Sequence, residues 1–116
     1  MDTDLSNVSI ILKSENTRVP LRGSSESAGT DLYAATEHII QPGDRTLVST
    51  DIIMKLPNGT YGQIAPRSSM AMKGIDIGAG IIDSDYRGEI KVLLINASKT
   101  PFTVNIGERI AQILIL

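Results

Sequence analysis

The stretch Glu89-Ile90-Lys91-Val92-Leu93-Leu94-Ile95 decides what kind of chain this is. Ile90, Val92 and Leu94 recur at every second position. A pleated backbone therefore puts them on one face, with Lys91 and Leu93 on the other. Similar short runs lie on both sides of it, each bounded by turn residues. Val8 to Leu12 reads as a strand, Asp31 to Ala35 as a second and His38 to Ile40 as a brief third. Pro42-Gly43-Asp44 turns the chain into Arg45 to Ser49. Asp51 to Leu56 leads to Asn58-Gly59, a hairpin signal, with Tyr61 to Ala65 as the returning strand. Only Ser68 to Gly74 has helical character, with hydroxyls to cap its start and Gly74 to end it after one or two turns. Turn signals recur roughly every 8–12 residues, which predicts an all-β antiparallel sandwich or barrel with one short helix. No linker or repeat divides it, so residues 1–116 read as one domain.

The composition fits that reading. The chain is 41% hydrophobic and 21% charged, enough for a modest core. Phe102, Tyr33, Tyr61 and Tyr86 are the only aromatics, so Ile, Leu, Val and Ala must fill the interior, which suits packing between pleated surfaces. The formal net charge of -2 and the few stacking platforms argue against a nucleic-acid binder. With no cysteine, disulfides and thiolate metal sites are excluded. Met1-Asp2-Thr3-Asp4 lacks the basic and apolar regions of a secretory signal, and no apolar run approaches the roughly 20 residues that span a bilayer. The expectation is a soluble intracellular protein of cytoplasm or nucleus. Ile110 to Leu116 is apolar on both faces; left as a free strand it would invite aggregation. Cover from a neighbouring subunit or from further chain would resolve that, which favours an oligomer.

The catalytic choices are narrow. His38, the one histidine, sits in a plain strand setting, and without cysteine the activation of water falls to a carboxylate, with or without a metal. The densest polar cluster runs from Gly78 to Glu89, as Gly-Ala-Gly-Ile-Ile-Asp-Ser-Asp-Tyr-Arg-Gly-Glu. A dinucleotide fingerprint would need glycine where Asp83 stands. A calcium loop starting at Asp83 fails at Arg87 and Leu94. A Walker loop has no Gly-Lys-Ser/Thr to build on. What remains is a β-hairpin whose tip carries Asp83, Asp85, Tyr86 and Arg87. It reads either as an acidic solvated turn or as a site, because Gly78, Gly80 and Gly88 let a flat ligand approach the backbone. Ala65-Pro66-Arg67-Ser68-Ser69 combines a guanidinium, hydroxyls and a helix start, either an ordinary cap or a phosphate site. Ser27 to Ala35 is a polar turn entering a strand. In Gly107-Glu108-Arg109-Ile110-Ala111-Gln112, only Gln112 between apolar neighbours hints at a ligand.

In this order the four clusters resemble the first four motifs of the trimeric dUTPase family, from about Ser27 to Leu116. Ala-Pro-Arg-Ser followed by the run from Gly78 to Glu89 is the specific part, and Val48-Ser49-Thr50-Asp51-Ile52 is also typical. The resemblance implies a jelly-roll-type β-barrel, assembled as a homotrimer with active sites at subunit boundaries. It implies hydrolysis of dUTP to dUMP and pyrophosphate, which limits uracil in DNA and supplies dUMP for thymidylate synthesis. Asp83 would orient and deprotonate the water. Tyr86 would stack under the deoxyribose and exclude a 2′-hydroxyl. The backbone of Gly78, Gly80 and Ile82 would pair with uracil, while Ser68, the N–H of Ser69 and Gln112 would hold the phosphates. Arg67 and Asp31 would support the site. The cofactor would be Mg²⁺, carried by the triphosphate and facing Asp31 through water.

Two departures stand out. Ser69 occupies a position where the family usually has glycine, and if the backbone there needs positive φ, serine costs about 1 kcal/mol. The chain also stops at Leu116, before the Gly-rich fifth motif of a C-terminal arm that closes over the nucleotide. That leads to an expectation of slower turnover with binding retained. The alternatives are a dUTPase-like binding module with little or no catalysis, and the related dCTP deaminase group.

Overall fold

A computed structural model describes the backbone of residues 9–12 and 21–22 and the whole of residues 29–116. Val8, Ser27 and Ala28, which belong to predicted segments, lie outside the described residues. The strands in chain order are β1 (Ser9–Leu12), β2 (Leu21–Arg22), β3 (Thr30–Tyr33), β4 (His38–Ile40), β5 (Arg45–Ser49), β6 (Ile52–Lys55) and β7 (Gly62–Ala65). The short helix α1 (Ser68–Met72) follows. After it come β8 (Ile75–Gly78), β9 (Ile81–Ile82), β10 (Lys91–Asn96), β11 (Phe102–Val104) and β12 (Arg109–Ile115). They form sheets ordered β2-β3-β12-β7-β9, β5-β10-β8, β1-β6 and β11-β4, and each pairing is antiparallel. This is the jelly-roll-type β fold with one short helix. No helix among the described residues is long and apolar enough to cross a membrane.

The alternation in β10 does what its period requires. Val92 and Leu94 are fully buried together with the preceding Ile90, Lys91 is exposed, and Leu93 is half-buried on the outer face. The core is built from Leu32, Ile40, Val48, Ile52, Met54, Ile75, Ile110, Ile113 and their neighbours, and Tyr33 is the buried aromatic among the described residues. Phe102 packs against the edge of the core.

Three local expectations need correction. Asn58-Gly59 turns the chain, but β6 pairs with β1 whereas β7 pairs with β12 and β9, so no hairpin forms. Thr60 N–H donates to Pro57 O, and of the two central residues only Gly59 has positive φ. A two-residue hairpin turn needs positive φ at both central residues (type I′) or at the first (type II′), whereas types I and II splay the strands. Secondly, Asp83 to Arg87 is not a hairpin tip, because β9 pairs with β7 and β10 with β5 and β8. A turn closed by Tyr86 N–H to Asp83 O, followed by extended chain, carries the backbone between sheets. Thirdly, β12 is no free edge: it lies between β3 and β7. Both of its edges are paired, and Ile110, Ala111, Ile113 and Ile115 are buried within the protomer. Its buried face is that of a central strand, while Leu114 and Leu116 on the other face stay half-buried.

Candidate active site

The register of the five-stranded sheet assembles one half of the site. Gln112 stands opposite Asp31 on one side and Ala65 on the other, so three distant segments meet in a row. Beside that row lies a hollow of about 350 Å³ lined by Gly29, Asp31, Arg67, Ser68, Ser69, Arg109 and Gln112. Gln112 Nε2 donates to Pro66 O at 3.1 Å, which fixes the amide over the entry to α1. A Cβ on Gly29 would come within 2.5 Å of Gln112 Oε1, so glycine there makes room for the amide. Asp31 pairs with Arg109 Nη1 at 3.4 Å, and Arg67 Nη1 reaches Arg109 O at 3.4 Å. An adjoining hollow of about 500 Å³ shares Arg67 and Arg109 and adds Tyr33, Gly107 and Glu108. Two guanidiniums in and between these hollows suit an anion with several oxygens.

The helix start differs from the expectation. Its N-cap is Arg67, in extended backbone, and no side chain caps it. Ser68 and Ser69 are the first helical residues, both exposed at the hollow, so their N–H groups belong to the turn that has no intrahelical acceptor. Ser69 therefore has helical, negative φ, and serine there carries no left-handed strain. Gly74, with φ 83, ends the helix as its position promised.

The other half forms where the chain leaves the three-stranded sheet for β9. A hollow of about 320 Å³ is lined by Leu47, Ile64, Ile77, Gly78, Ala79, Gly80, Ile81, Ile82, Asp83, Tyr86, Lys91 and Leu93. Leu93 stands opposite both Leu47 and Gly78 across the sheet, so the outer face of β10 forms an apolar floor. The glycines make room for the chain's own packing. A Cβ on Gly78 would meet Leu93 Cδ2 at 2.7 Å, one on Gly80 would meet Ile64 O at 2.9 Å, and one on Gly88 would meet the Tyr86 hydroxyl at 2.5 Å. Gly80 has φ 115, and Ile64 N–H donates to its carbonyl at 2.8 Å. Ala79 holds φ 57, a strained conformation for a residue with a Cβ. Asp83 is exposed, and Tyr86 is 41% exposed with its hydroxyl bonded to Glu89 O at 2.8 Å.

The predicted residues thus fall into two groups: Asp83, Tyr86, Gly78, Gly80 and Ile82 around one hollow, and Asp31, Arg67, Ser68, Ser69 and Gln112 around another. Among the described residues none lines both. Sequence reading missed Arg109 as the partner of Asp31, and Leu47, Lys91 and Leu93 as the floor and wall of the other hollow. The alternation in β10 already placed Lys91 and Leu93 together on the outer face; nothing local marked that face as a wall. His38 bonds Thr36 Oγ1 at 2.7 Å and lines neither hollow.

Against known proteins, the family model described as dUTPase matches residues 15–116. The chain is 50% identical over 109 residues to the deoxyuridine 5′-triphosphate nucleotidohydrolase of Cowpox virus (strain GRI-90 / Grishak), covering 94% of this chain and 74% of that protein. The Monkeypox virus enzyme of the same name is also 50% identical, with 72% of its length covered. Among solved structures, a dUTPase of Staphylococcus bacteriophage 80alpha with dUpNHpp superposes with a TM-score of 0.90 at 23% identity, covering 96% of this chain and 90% of that one. A dUTPase from phage phi11 of S. aureus, described with a structural Mg(II) ion, gives 0.89 at 24% identity, with 94% of this chain and 89% of that one covered. At such identities the two structures establish the shared fold.

Proposed function

The chain belongs to the dUTPase family, and from that premise we propose that its two hollows are the base half and the phosphate half of one active site. The reaction is hydrolysis of dUTP to dUMP and pyrophosphate by water attacking the α-phosphorus. The observation that carries the assignment is the sorting of chemistry between the hollows. One has an apolar floor, exposed backbone and a single carboxylate, which suits a pyrimidine and its attacking water. The other gathers guanidiniums, hydroxyls, a side-chain amide and the first N–H groups of a helix, which suits a triphosphate.

In this reading Asp83 holds the water and takes its proton, and Tyr86 lies against the deoxyribose where a 2′-hydroxyl would clash. Gly78, Gly80 and Ile82 offer main-chain groups to uracil, in a space too close for a thymine methyl. Ser68, Ser69 and Gln112 hold phosphate oxygens. Arg67 and Asp31 keep that half in place, with Arg109 pairing Asp31. Fixed donors of this kind stabilise the charge that develops on the departing pyrophosphate.

No cluster of three or more His, Cys, Asp or Glu among the described residues could cage a metal ion. The donor set fits Mg²⁺ held mainly by phosphates, with Asp31 reaching it through water. When bound, the ion neutralises charge on the triphosphate and orients it.

Because the two hollows share no lining residue among the described residues, we also propose that the complete site forms at subunit boundaries of a homotrimer, each chain contributing one domain, residues 1–116, in an intracellular setting of cytoplasm or nucleus. The alternative of a binding module without useful catalysis gains no support from relatives named as nucleotidohydrolases.

The test is release of pyrophosphate from dUTP with Mg²⁺. Asp83→Asn keeps the shape and removes the base, so kcat should fall about 10²- to 10⁴-fold with KM little changed. Undiminished turnover in that variant would remove Asp83 from its role.

A further inference from the structure

Glu89 is absorbed by neither hollow, yet it joins the loop that carries Asp83 and Tyr86 to the rest of the fold. Its Oε2 accepts the Asp51 N–H at 3.0 Å, and the Ser49 hydroxyl donates to the same carboxylate. Next to it, Thr50 Oγ1 donates to Ile90 O and Ile90 N–H to Ile52 O at 2.8 Å. The C-terminal end of the loop is thereby fastened to the turn between β5 and β6. On its other side the Glu89 carbonyl accepts the Tyr86 hydroxyl at 2.8 Å, and the Tyr86 ring fills the space a side chain at residue 88 would take. Asp51 itself sits at φ 56, a conformation that persists only where the surroundings over-determine it; the contacts from Ser49 and Glu89 do so.

We infer that Glu89 is a positioning residue: its carboxylate clamps the loop to the β5–β6 turn, and its carbonyl thereby sets the Tyr86 ring that discriminates the sugar. The inference rests on the reading of Tyr86 given above. Residues 83 and 85–87 are exposed, so few buried contacts would hold the ring in place without this clamp.

The test compares wild type with Glu89→Ala, Glu89→Gln and Asp51→Gly by amide exchange, by Tyr86 ring resonances and by kcat/KM for dUTP and for UTP. Glu89→Ala should release protection of the Asp51 amide and shift the Tyr86 ring. It should lower kcat/KM for dUTP about ten- to a hundredfold and narrow the preference for dUTP over UTP. Glu89→Gln retains an acceptor for the Asp51 N–H and should recover most of each effect. Asp51→Gly keeps the N–H that Glu89 holds but removes the Oδ1 that accepts the Ser49 hydroxyl at 2.8 Å, so the Tyr86 ring and the dUTP/UTP preference should stay closer to wild type than in Glu89→Ala. An unchanged dUTP/UTP preference in Glu89→Ala, or an unmoved Tyr86 ring, overturns the proposal. If Glu89→Ala does not fold, Ser49→Ala removes one tether and should shift the same readouts in the same direction, and no shift there counts equally against it. A wild-type protein that leaves dUTP intact would sink the parent reading, while the exchange and ring measurements still decide the clamp.

Discussion

At the scale of single residues, two positions carry costs that substitution can expose. Thr30 is fully buried, and its Oγ1 has no hydrogen-bond partner among the described residues. A buried hydroxyl left unpaired loses its hydration without return. Thr30→Val keeps the shape and removes the orphan, so urea denaturation should show stability unchanged or raised by about 1 kcal/mol. A loss of more than about 1 kcal/mol would reveal a partner for the hydroxyl. Gly80 is the opposite case. Its φ of 115 lies where L side chains rarely go, and a Cβ would press on the Ile64 carbonyl at 2.9 Å. Gly80→Ala should cost about 1–3 kcal/mol and weaken dUTP binding, because the strand crossing that shapes the base hollow must shift. Thermal unfolding and KM measure the two effects separately.

At the scale of elements, the fold depends on how strands are tied across sheets that share no ladder. Asn96 ends β10 and is fully buried, and its polar atoms are satisfied. Its Nδ2 donates to Ile40 O and Thr100 O, each at 2.9 Å, while Oδ1 accepts from the Ser98 N–H at 3.0 Å and the Ser98 hydroxyl at 2.6 Å. It thereby ties β10 to β4, which belongs to a different sheet. Asn96→Asp replaces two donors by an acceptor facing carbonyls, and should destabilise by about 3 kcal/mol at neutral pH. Chemical denaturation checks it; a loss below about 1 kcal/mol would mean that the β4 connection is held elsewhere. The predicted strands all form, because period-two burial is a local property. The hairpins inferred from Asn58-Gly59 and from the Asp83 turn do not, because pairing depends on which strand waits on each side.

At the scale of the molecule, the division of the site into two hollows makes a prediction about assembly. If each complete site draws on more than one chain, Asp83→Asn and Gln112→Ala damage different halves. Subunits of the two variants, each weak alone, should regain about a quarter of wild-type turnover or less when refolded together, since random mixing leaves a minority of sites with both halves intact. Sedimentation should show a trimer in each case. Mixtures no more active than their parts, with exchange of subunits demonstrated, would place the whole site within one chain.

The sequence by itself determined the all-β class, the short helix and its end at Gly74, the buried faces, and the candidate residues of the site. Those follow from short-range rules: alternation selects a face, glycine permits a turn, and a motif's spacing survives in the chain as written. Only the tertiary structure decided that β12 is central, that Gln112 lies beside Asp31 and Ala65, that Arg109 reaches Asp31, and that the glycines of the long motif make room for Leu93, Ile64 and Tyr86. It also showed that Ser69 enters a helix and escapes the strain its family position suggested. Each of these is a relation between segments distant in sequence, set by strand register and by which side chains claim the same space.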